Sequence, residues 1–293
     1  MASVELTGLD GKIAVVTGAG RMRSIGRSIA VELARAGCDV VVTGSGRDPS
    51  DYPDDEKAVG WRDVDSVAEE IRGMGRRSLP VALDIRDPDA VAALAEQTIA
   101  EFGRIDVVVN NAGSARGGDR ANVTDVPLDE WHRVLNTNLN GPLYMCRAFG
   151  KHMVDQGDGG SIINISSIGG KMMLPMNSPY AASKAGLNAM TACMAREVGK
   201  EGIRVNAICP GLVDTARMAD LARRGDDDEE ASKNVPVGAV GFGFDDFIDA
   251  HIPLGRAGVG NDIAFMAVFL ASDQGSWITG QCYNVDGGSV VEH

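Results

Sequence analysis

The sequence predicts one α/β domain over residues 1–293, with a doubly wound parallel sheet and helices on both of its faces. Short apolar runs alternate with longer stretches of helical spacing, and no linker interrupts this alternation. Continuous apolar runs are typical of strands that are buried on both faces of a parallel sheet. The predicted strands are 12–17, 39–43, 79–85, 105–109, 162–165, 203–208 and 281–285.

The helices are predicted from apolar periodicity and from residues that start or stop a helix. Ile25, Ile29 and Leu33 stand four residues apart, and Gly37 follows them as a stop. A proline after a capping residue marks two other starts, because the first helical position needs no N–H. Further helices are predicted around Val67 and onward from Pro88, Leu128, Pro179 and Ile263.

Composition excludes several classes of function. The chain has a net charge of −13, which makes a nucleic-acid partner unexpected. It has no apolar run of membrane-spanning length, and its first ten residues do not resemble a signal peptide. We therefore expect a cytoplasmic protein. Its scattered cysteines are expected to be buried, reduced thiols and not metal ligands; they are Cys38, Cys146, Cys193, Cys209 and Cys282.

Two short segments hold most of the negative charge. Residues 48–65 carry seven acidic residues against two basic ones, and residues 226–230 are all acidic. Both are predicted to be solvated loops. Residues 48–62 are further interpreted as an insertion after the second strand, which Trp61 would pin to the domain. Residues 216–255 mix charge with the run Gly241-Phe242-Gly243-Phe244 and are interpreted as a substrate lid.

The strongest chemical signal is a tyrosine and a lysine one helical turn apart. Tyr180 and Lys184 leave the same face of the predicted helix, and a cation there is expected to lower the pKa of the phenol from about 10. Ser167 follows the apolar strand 162–165, so its hydroxyl and the phenol can reach one substrate oxygen. Ser166 is the alternative, disfavoured by strand parity. Alone, a Tyr–Lys pair is more often a surface pair.

A glycine-rich turn follows the first predicted strand. Gly18, Ala19 and Gly20 lead into the helix that begins near Ile25, and a helix N-terminus offers N–H groups and partial positive charge to a pyrophosphate. The sequence therefore predicts a dinucleotide site at this turn.

Together these residues resemble the short-chain dehydrogenase/reductase family. The motif Tyr180-x-x-x-Lys184, Ser167, the run Asn110-Asn111-Ala112-Gly113 and Thr17-Gly18 carry the resemblance, which extends from about Gly11 to Gly288. The resemblance implies a Rossmann-type fold, a homotetramer or homodimer, and a 3-oxoacyl-reductase-like oxidoreductase. The turn departs from the family pattern, because two extra residues precede Ile25 and Ser24 replaces a glycine.

The resemblance also implies roles for individual residues. Asn138 becomes the fourth catalytic residue beside Ser167, Tyr180 and Lys184, through a main-chain carbonyl that binds a relay water. Tyr180 and Lys184 also contact the cofactor. The other predicted cofactor contacts are Gly18, Arg21, Arg23, Ser24, Ile25, Asp84, Ile85, Asn111, Ala112, Gly113, Pro210, Gly211, Val213 and Thr215. Asp84 is predicted to contact the adenine, or alternatively to cap a turn.

Basic residues near the end of the second strand favour NADP over NAD. No acidic residue stands between this strand and Asp48, whereas Ser45, Arg47, Arg21 and Arg23 can surround a phosphate. The alternatives are NAD as the cofactor and arginines that serve only solubility.

We therefore expect an enzyme that transfers a hydride between NADP(H), or NAD(H), and a small ketone or secondary alcohol, with Tyr180 as general acid/base. The alternatives are a dinucleotide-binding sensor without turnover and an enoyl reductase. Met172, Met173, Leu174 and Met176 indicate an apolar substrate pocket. No metal is expected.

Overall fold

Seven strands form one parallel sheet in the computed structural model, which describes residues 6–215 and 244–291. The strand order is β3-β2-β1-β4-β5-β6-β7, and every neighbouring pair is parallel. The strands are β1 (Ile13–Val16), β2 (Asp39–Gly44), β3 (Ser78–Ala82), β4 (Val107–Asn110), β5 (Gly160–Ile165), β6 (Ile203–Pro210) and β7 (Cys282–Val285). The predicted fold class and all seven predicted strands are confirmed.

Helices cover both faces of this sheet. They are α1 (Ile25–Arg35), α2 (Asp54–Ala58), α3 (Val64–Gly73), α4 (Pro88–Phe102), α5 (Leu128–Leu135), α6 (Gly141–Gln156), α7 (Gly169–Met172), α8 (Ser178–Val198), α9 (Phe244–His251) and α10 (Gly260–Ala271). Alternate residues of β1 divide the core: Val16 packs with α1, α3 and α10 on one face, and Val15 with α4 and α6 on the other. None of the described helices is long and apolar enough to cross a bilayer.

The strand order creates a crevice at the carboxyl end of the sheet. β1 pairs with β2 on one side and with β4 on the other. The strand order therefore runs from β1 to β3 on one side of β1 and from β4 to β7 on the other. At such a switch point, ligands bind outside the carboxyl ends of the strands. The ends of β1, β2, β4, β5 and β6 therefore define the region of the candidate site.

A π-helical segment, Asn136–Asn140, joins α5 to α6. The prediction that asparagines here disturb a regular helix is confirmed. Short polar side chains compete for main-chain groups, which favours such a local widening of the helix. Asn140 donates from its side-chain amide to the side-chain oxygen of Asn136 at 2.8 Å.

The prediction that residues 48–65 are a solvated loop is wrong for part of this segment. It contains a 3-10 turn, Pro49–Asp51, and α2, and two of its carboxylates are buried: Glu56 is 1% and Asp63 7% exposed. Both bond to Arg47, which offsets the cost of burying them. Trp61 pins the segment as predicted, because its indole N–H donates to the carbonyl of Gly20 at 2.7 Å.

Two other sequence predictions concern the cysteines and the lid. All five cysteines are free, but Cys193 is exposed, contrary to prediction. Burial raises the pKa of the Cys146 thiol to about 12. Residues 216–243, most of the predicted lid together with its phenylalanine Phe242 and the acidic run 226–230, lie outside the described residues. Residues 244–255 include α9.

Asp106 anchors the opposite edge of the sheet. Its carboxylate, 5% exposed, accepts hydrogen bonds from the main-chain N–H of Ile13 at 2.9 Å, from Lys12 at 3.1 Å and from Arg104 at 2.6 Å. Burial alone would raise the pKa of Asp106, but these hydrogen bonds outweigh it and hold the pKa below its usual value. The carboxylate therefore links the first residue of β1 to the turn before β4.

Replacing this carboxylate is expected to weaken the fold in a pH-dependent way. Because the pKa is lowered in the folded state, the ionised group stabilises the fold above the ordinary carboxyl pKa of about 4, and this contribution is lost as the pH falls below it. Asp106→Asn should reduce the free energy of unfolding by about 1–3 kcal/mol at pH 7. Urea unfolding at pH 7 and pH 3 should show the gap to wild type shrinking at pH 3.

A matched control is Asp155→Asn, which removes an exposed carboxylate paired with Lys151 on α6. It should change little at either pH, because exposed ion pairs contribute little. An equal loss for Asp106→Asn at both pH values would show that the charge is not responsible.

Candidate active site

The turn between β1 and α1 brings backbone unusually close to the neighbouring strand end. Gly18 has φ +67°, and a Cβ added there would lie 2.7 Å from the Cα of Ala112. A Cβ on Gly26 would lie 2.4 Å from the amide nitrogen of Asn111. Ser24 caps α1 by accepting from the main-chain N–H of Arg27 at 3.2 Å. Glycine at these two positions thus lets the turn pack against the end of β4, and the N-terminus of α1 follows directly after the turn.

The end of β4 is fastened to this turn. The Asn111 amide donates to the carbonyls of Thr17 at 2.8 Å and Gly18 at 3.1 Å. The Thr17 hydroxyl in turn accepts from the main-chain N–H groups of Asn111 and Ala112, both at 3.0 Å. These contacts fix the positions of Ala112 and the exposed Gly113 beside the predicted dinucleotide site.

Ser167 and Tyr180 line the same space at the end of β5. A Cβ added to Gly169 would lie 3.1 Å from Cε1 of Tyr180 and 3.3 Å from Oγ of Ser167. The Ser167 hydroxyl accepts from the main-chain N–H of Gly169 at 3.0 Å, which fixes its position. Both side chains are half-buried. The Ser167 hydroxyl and the edge of the Tyr180 ring therefore both lie beside Gly169.

Lys184 lies beneath this space, buried and 5% exposed. Its ammonium group stands 5.9 Å from the centre of the Tyr180 ring and donates to the main-chain carbonyl of Ile165 at 2.8 Å. Ser166, the alternative to Ser167, is directed away from the space, because its hydroxyl donates to the carbonyl of Lys184 at 3.2 Å. The structure therefore brings the predicted serine, tyrosine and lysine together.

Asn138 connects three elements around these residues. Its side-chain oxygen accepts from the main-chain N–H of Ser114 at 2.8 Å, and its nitrogen donates to the hydroxyl of Ser183 at 3.1 Å. That hydroxyl donates to the carbonyl of Tyr180 at 2.7 Å. Asn138 is fully buried within the π segment and positions α8, which carries Tyr180.

Arg120 was missed by sequence reasoning. Its guanidinium carbon stands 4.9 Å from the centre of the Tyr180 ring, on a side chain that is only 12% exposed. Asp119 lies beside it, with 3.4 Å between the carboxylate and Nε. No motif or spacing marks this arginine, since it belongs to an irregular segment between β4 and α5. The site therefore has two cations near its phenol.

Acidic residues accompany the basic ones at the end of β2. Arg47 contacts Glu56 at 2.8 Å and Asp63 at 3.3 Å, and its guanidinium stacks 4.6 Å from the centre of the Tyr52 ring. Burial disfavours the charge of Arg47, but the hydrogen bond to Glu56 and the charge of Asp63 outweigh burial and raise its pKa. Arg47 is therefore already held by two carboxylates, which no sequence pattern indicated.

The other predicted phosphate contacts are dispersed. Ser45 is exposed at the end of β2, and Arg21 is half-buried in the turn. Arg23 instead points across the crevice, 3.4 Å from Asp214 after β6. We predicted that four residues surround one phosphate: Arg21, Arg23, Ser45 and Arg47. This prediction is wrong for Arg23, because its side chain contacts Asp214 beyond the end of β6.

The remaining predicted cofactor contacts surround the same crevice. Asp84 bonds to the main-chain N–H and the guanidinium of Arg86, so it caps a turn, and the hydrogen bond from the guanidinium holds its pKa below the usual value. Ile25 begins α1 and packs against the core, whereas Ile85 is buried beside Gly141. The others follow β6: Pro210 ends it, Gly211 donates to the carbonyl of Val285, Val213 pairs with Gly258, and Thr215 is half-buried.

Comparisons with known proteins agree with this arrangement. A family model described as enoyl-(acyl carrier protein) reductase matches residues 18–290. The chain is 35% identical to 2-dehydro-3-deoxy-D-gluconate 5-dehydrogenase of Escherichia coli (strain K12), with 96% of each chain covered. It is also 35% identical to the 3-oxoacyl-(acyl-carrier-protein) reductase FabG of Pseudomonas aeruginosa, over 97% of this chain and 99% of that one.

Solved structures show the same fold. The crystal structure of carveol dehydrogenase from Mycobacterium avium in complex with NAD superposes with a TM-score of 0.82 at 27% identity, covering 98% of this chain and 100% of the other. A putative short-chain alcohol dehydrogenase from Sinorhizobium meliloti 1021 gives a TM-score of 0.76 at 35% identity, covering 96% of each chain. This chain therefore belongs to the short-chain dehydrogenase/reductase family of nicotinamide-dinucleotide-dependent oxidoreductases.

Proposed function

We propose that this enzyme transfers a hydride between a nicotinamide dinucleotide and a ketone or secondary alcohol, with Tyr180 as the general acid/base. The observation that carries the proposal is the shared space beside Gly169, where the Ser167 hydroxyl and the Tyr180 ring both lie within 3.4 Å of one point. Lys184 is buried beneath the phenol, 5.9 Å from the ring centre. We propose that one substrate oxygen contacts the hydroxyl groups of both Ser167 and Tyr180.

The residues of the crevice fit a dinucleotide. An added Cβ would lie 2.7 Å from the Cα of Ala112 at Gly18 and 2.4 Å from the amide nitrogen of Asn111 at Gly26, so glycine at both positions lets the turn lie close to the end of β4. A glycine-rich turn next to the N-terminus of α1 suits a pyrophosphate. Asn111, Ala112 and the residues after β6 would border the rest of the cofactor. When bound, the nicotinamide ring supplies or accepts the hydride.

The side chains at the end of β5 manage one proton. Tyr180 donates its proton to the carbonyl oxygen during reduction, and takes it from the alcohol during oxidation. The Ser167 hydroxyl donates a hydrogen bond to the same oxygen and stabilises the charge that develops there. The ammonium of Lys184 favours the ionised phenol, because an opposite charge nearby favours the charged form.

Asn138 has a positioning and a relay role in this proposal. Its amide holds the loop after β4 and α8 at a fixed separation. The π segment around it disturbs the regular pattern of main-chain hydrogen bonds, and we propose that a carbonyl there binds the water that returns protons from solvent to Lys184.

The substrate class is a carbonyl compound or alcohol with an apolar portion. Met172 and Met173 lie at the end of α7 and are 42% and 59% exposed, so they offer an adaptable apolar surface there. A screen with both NADH and NADPH should include 3-oxoacyl thioesters, sugar acids and cyclic terpenoid ketones, which the names of the relatives indicate. An enoyl thioester tests the second candidate, reduction of a carbon–carbon double bond, which the matched family description favours.

Removing the phenolic hydroxyl should abolish turnover but not cofactor binding. We expect Tyr180→Phe to lower kcat by at least about 100-fold, because transfer by a positioned acid or base contributes about 10²–10⁴-fold. Dinucleotide affinity, measured by fluorescence titration, should change little. The matched control is Tyr144→Phe on α6, which should keep full activity. Persistence of kcat in Tyr180→Phe would contradict the assignment.

Removing the cation over the phenol should shift the pH profile. Alcohol oxidation needs the ionised phenol, so its rate rises with pH to a plateau, and the Arg120 guanidinium 4.9 Å from the ring favours ionisation. Arg120→Gln should move the midpoint of this rise in kcat/KM to higher pH by about 0.5–1 pH unit. Arg120→Lys should restore it. A lower rate with an unmoved midpoint would indicate a purely structural role.

A further inference from the structure

The carboxylate of Asp63 lies beside the end of β2, where the last strand residue is a glycine without a side chain. Gly44 is the last residue of β2, and a Cβ added there would lie 3.1 Å from Oδ1 of Asp63. On the other side, a Cβ added to Gly20 would lie 1.2 Å from the same oxygen. The carboxylate thus lies between the end of β2 and the turn after β1. An acidic residue at position 44 would place its own carboxylate in the same region.

Several contacts hold Asp63 in this position. Its backbone has φ +52°, a conformation that non-glycine residues adopt at a cost, and it immediately precedes α3. Two residues earlier, Trp61 donates to the carbonyl of Gly20. The Asp63 carboxylate accepts from Nε of Arg47 at 3.3 Å. The position of this carboxylate therefore depends on the segment 48–62, which returns the chain to the end of β2.

A second acid of the same segment, Glu56, bonds to the same arginine. Glu56 accepts from the main-chain N–H of Met22 at 2.8 Å with one oxygen and from Arg47 at 2.8 Å with the other. Two carboxylates thus face one guanidinium, so the formal charges of Arg47, Glu56 and Asp63 sum to −1. Arg27, nearby on α1, is held by both oxygens of Glu70 at 2.9 and 3.0 Å.

The chemistry of this location distinguishes the two dinucleotides. In open α/β sheets with a dinucleotide site, an acid near the end of the second strand accepts hydrogen bonds from the adenosine ribose hydroxyls of NAD. NADP carries a phosphate on the 2′-hydroxyl, and its negative charge would approach two carboxylates whose one cation is already bound. Like charges brought together in this way disfavour binding strongly.

We propose that Asp63 is the residue that selects NAD over NADP, and that the segment 48–62 delivers it to the site. The proposal rests on the proposed function of the crevice as a dinucleotide site. It also assigns to Arg47 a role opposite to the one expected from the sequence: Arg47 holds the two acids in place and does not bind a phosphate.

The proposal is tested first on the unaltered protein. Fluorescence titration with NADH and NADPH should give a dissociation constant at least about 10²-fold lower for NADH than for NADPH. This readout needs no substrate and no turnover. Tighter or equal binding of NADPH would overturn the proposal while leaving the hydride-transfer function intact.

Asp63→Asn then tests the residue itself. Asparagine has nearly the same shape and tolerates a positive φ, so the variant removes charge with little change in backbone. It should weaken NADH binding, strengthen NADPH binding and reduce the ratio of the two affinities at least about tenfold. The matched control is Asp65→Asn, an exposed acid two residues away, which removes the same charge and should leave the ratio unchanged.

The outcomes separate this proposal from the proposed function. An unchanged ratio in folded Asp63→Asn, or an equal change in Asp65→Asn, would exclude selection by Asp63. Thermal unfolding shows whether Asp63→Asn is folded; if it is not, Glu56→Gln replaces it and should reduce the ratio in the same direction. Selective NADH binding without turnover of any carbonyl would support selection by Asp63 and contradict the proposed reaction.

Discussion

The site depends on buried amide side chains whose hydrogen bonds join different elements of the fold. Asn138 is the central example: one side chain joins the main chain of Ser114 after β4 to the hydroxyl of Ser183 on α8. Since Ser183 bonds to the carbonyl of Tyr180, the position of the phenol is coupled to the end of β4. A buried polar group that loses its partner costs more than the bond itself contributes, so such links specify one arrangement.

The same principle applies one layer deeper. Asn110 at the end of β4 donates to the side chain of Asn164 in β5 at 2.8 Å, and Asn164 donates to Thr191 on α8 at 2.9 Å. All three side chains are essentially inaccessible to solvent. The helix that carries Tyr180 and Lys184 is therefore fixed to two adjacent strands by polar contacts as well as by apolar packing. These contacts keep the two functional side chains at the carboxyl edge of the sheet.

Local patterns were sufficient to predict the fold and the central group of the site. Strands such as β1 are continuous apolar runs, and Tyr180 and Lys184 are one helical turn apart, so both features can be read from neighbouring residues. Ser167 was also placed correctly relative to Tyr180, because the strand end and the start of α8 lie close in sequence. Even the π segment left a local trace in its three asparagines.

Features that depend on distant residues could not be predicted in this way. Asp63 reaches the end of β2 only because Trp61 and Glu56 fold back onto the turn after β1, and no spacing in the sequence encodes this return. Arg120 approaches Tyr180 from an irregular segment sixty positions earlier in the chain. Charge counting alone marked residues 48–65 as solvated, whereas pairing with Arg47 allows two of these acids to be buried.

The π segment between α5 and α6 also determines how the following helix is oriented. A regular α-helix turns about 100° per residue, so one additional residue in a wider turn rotates everything after it by about that angle. The stripe of Met145, Phe149 and Met153, in the helix that follows this segment, faces the core of the sheet. Removing one residue from the segment would rotate this stripe by about 100° relative to the sheet. The irregular turn is thus a condition for the packing of α6 as well as a feature of the active site.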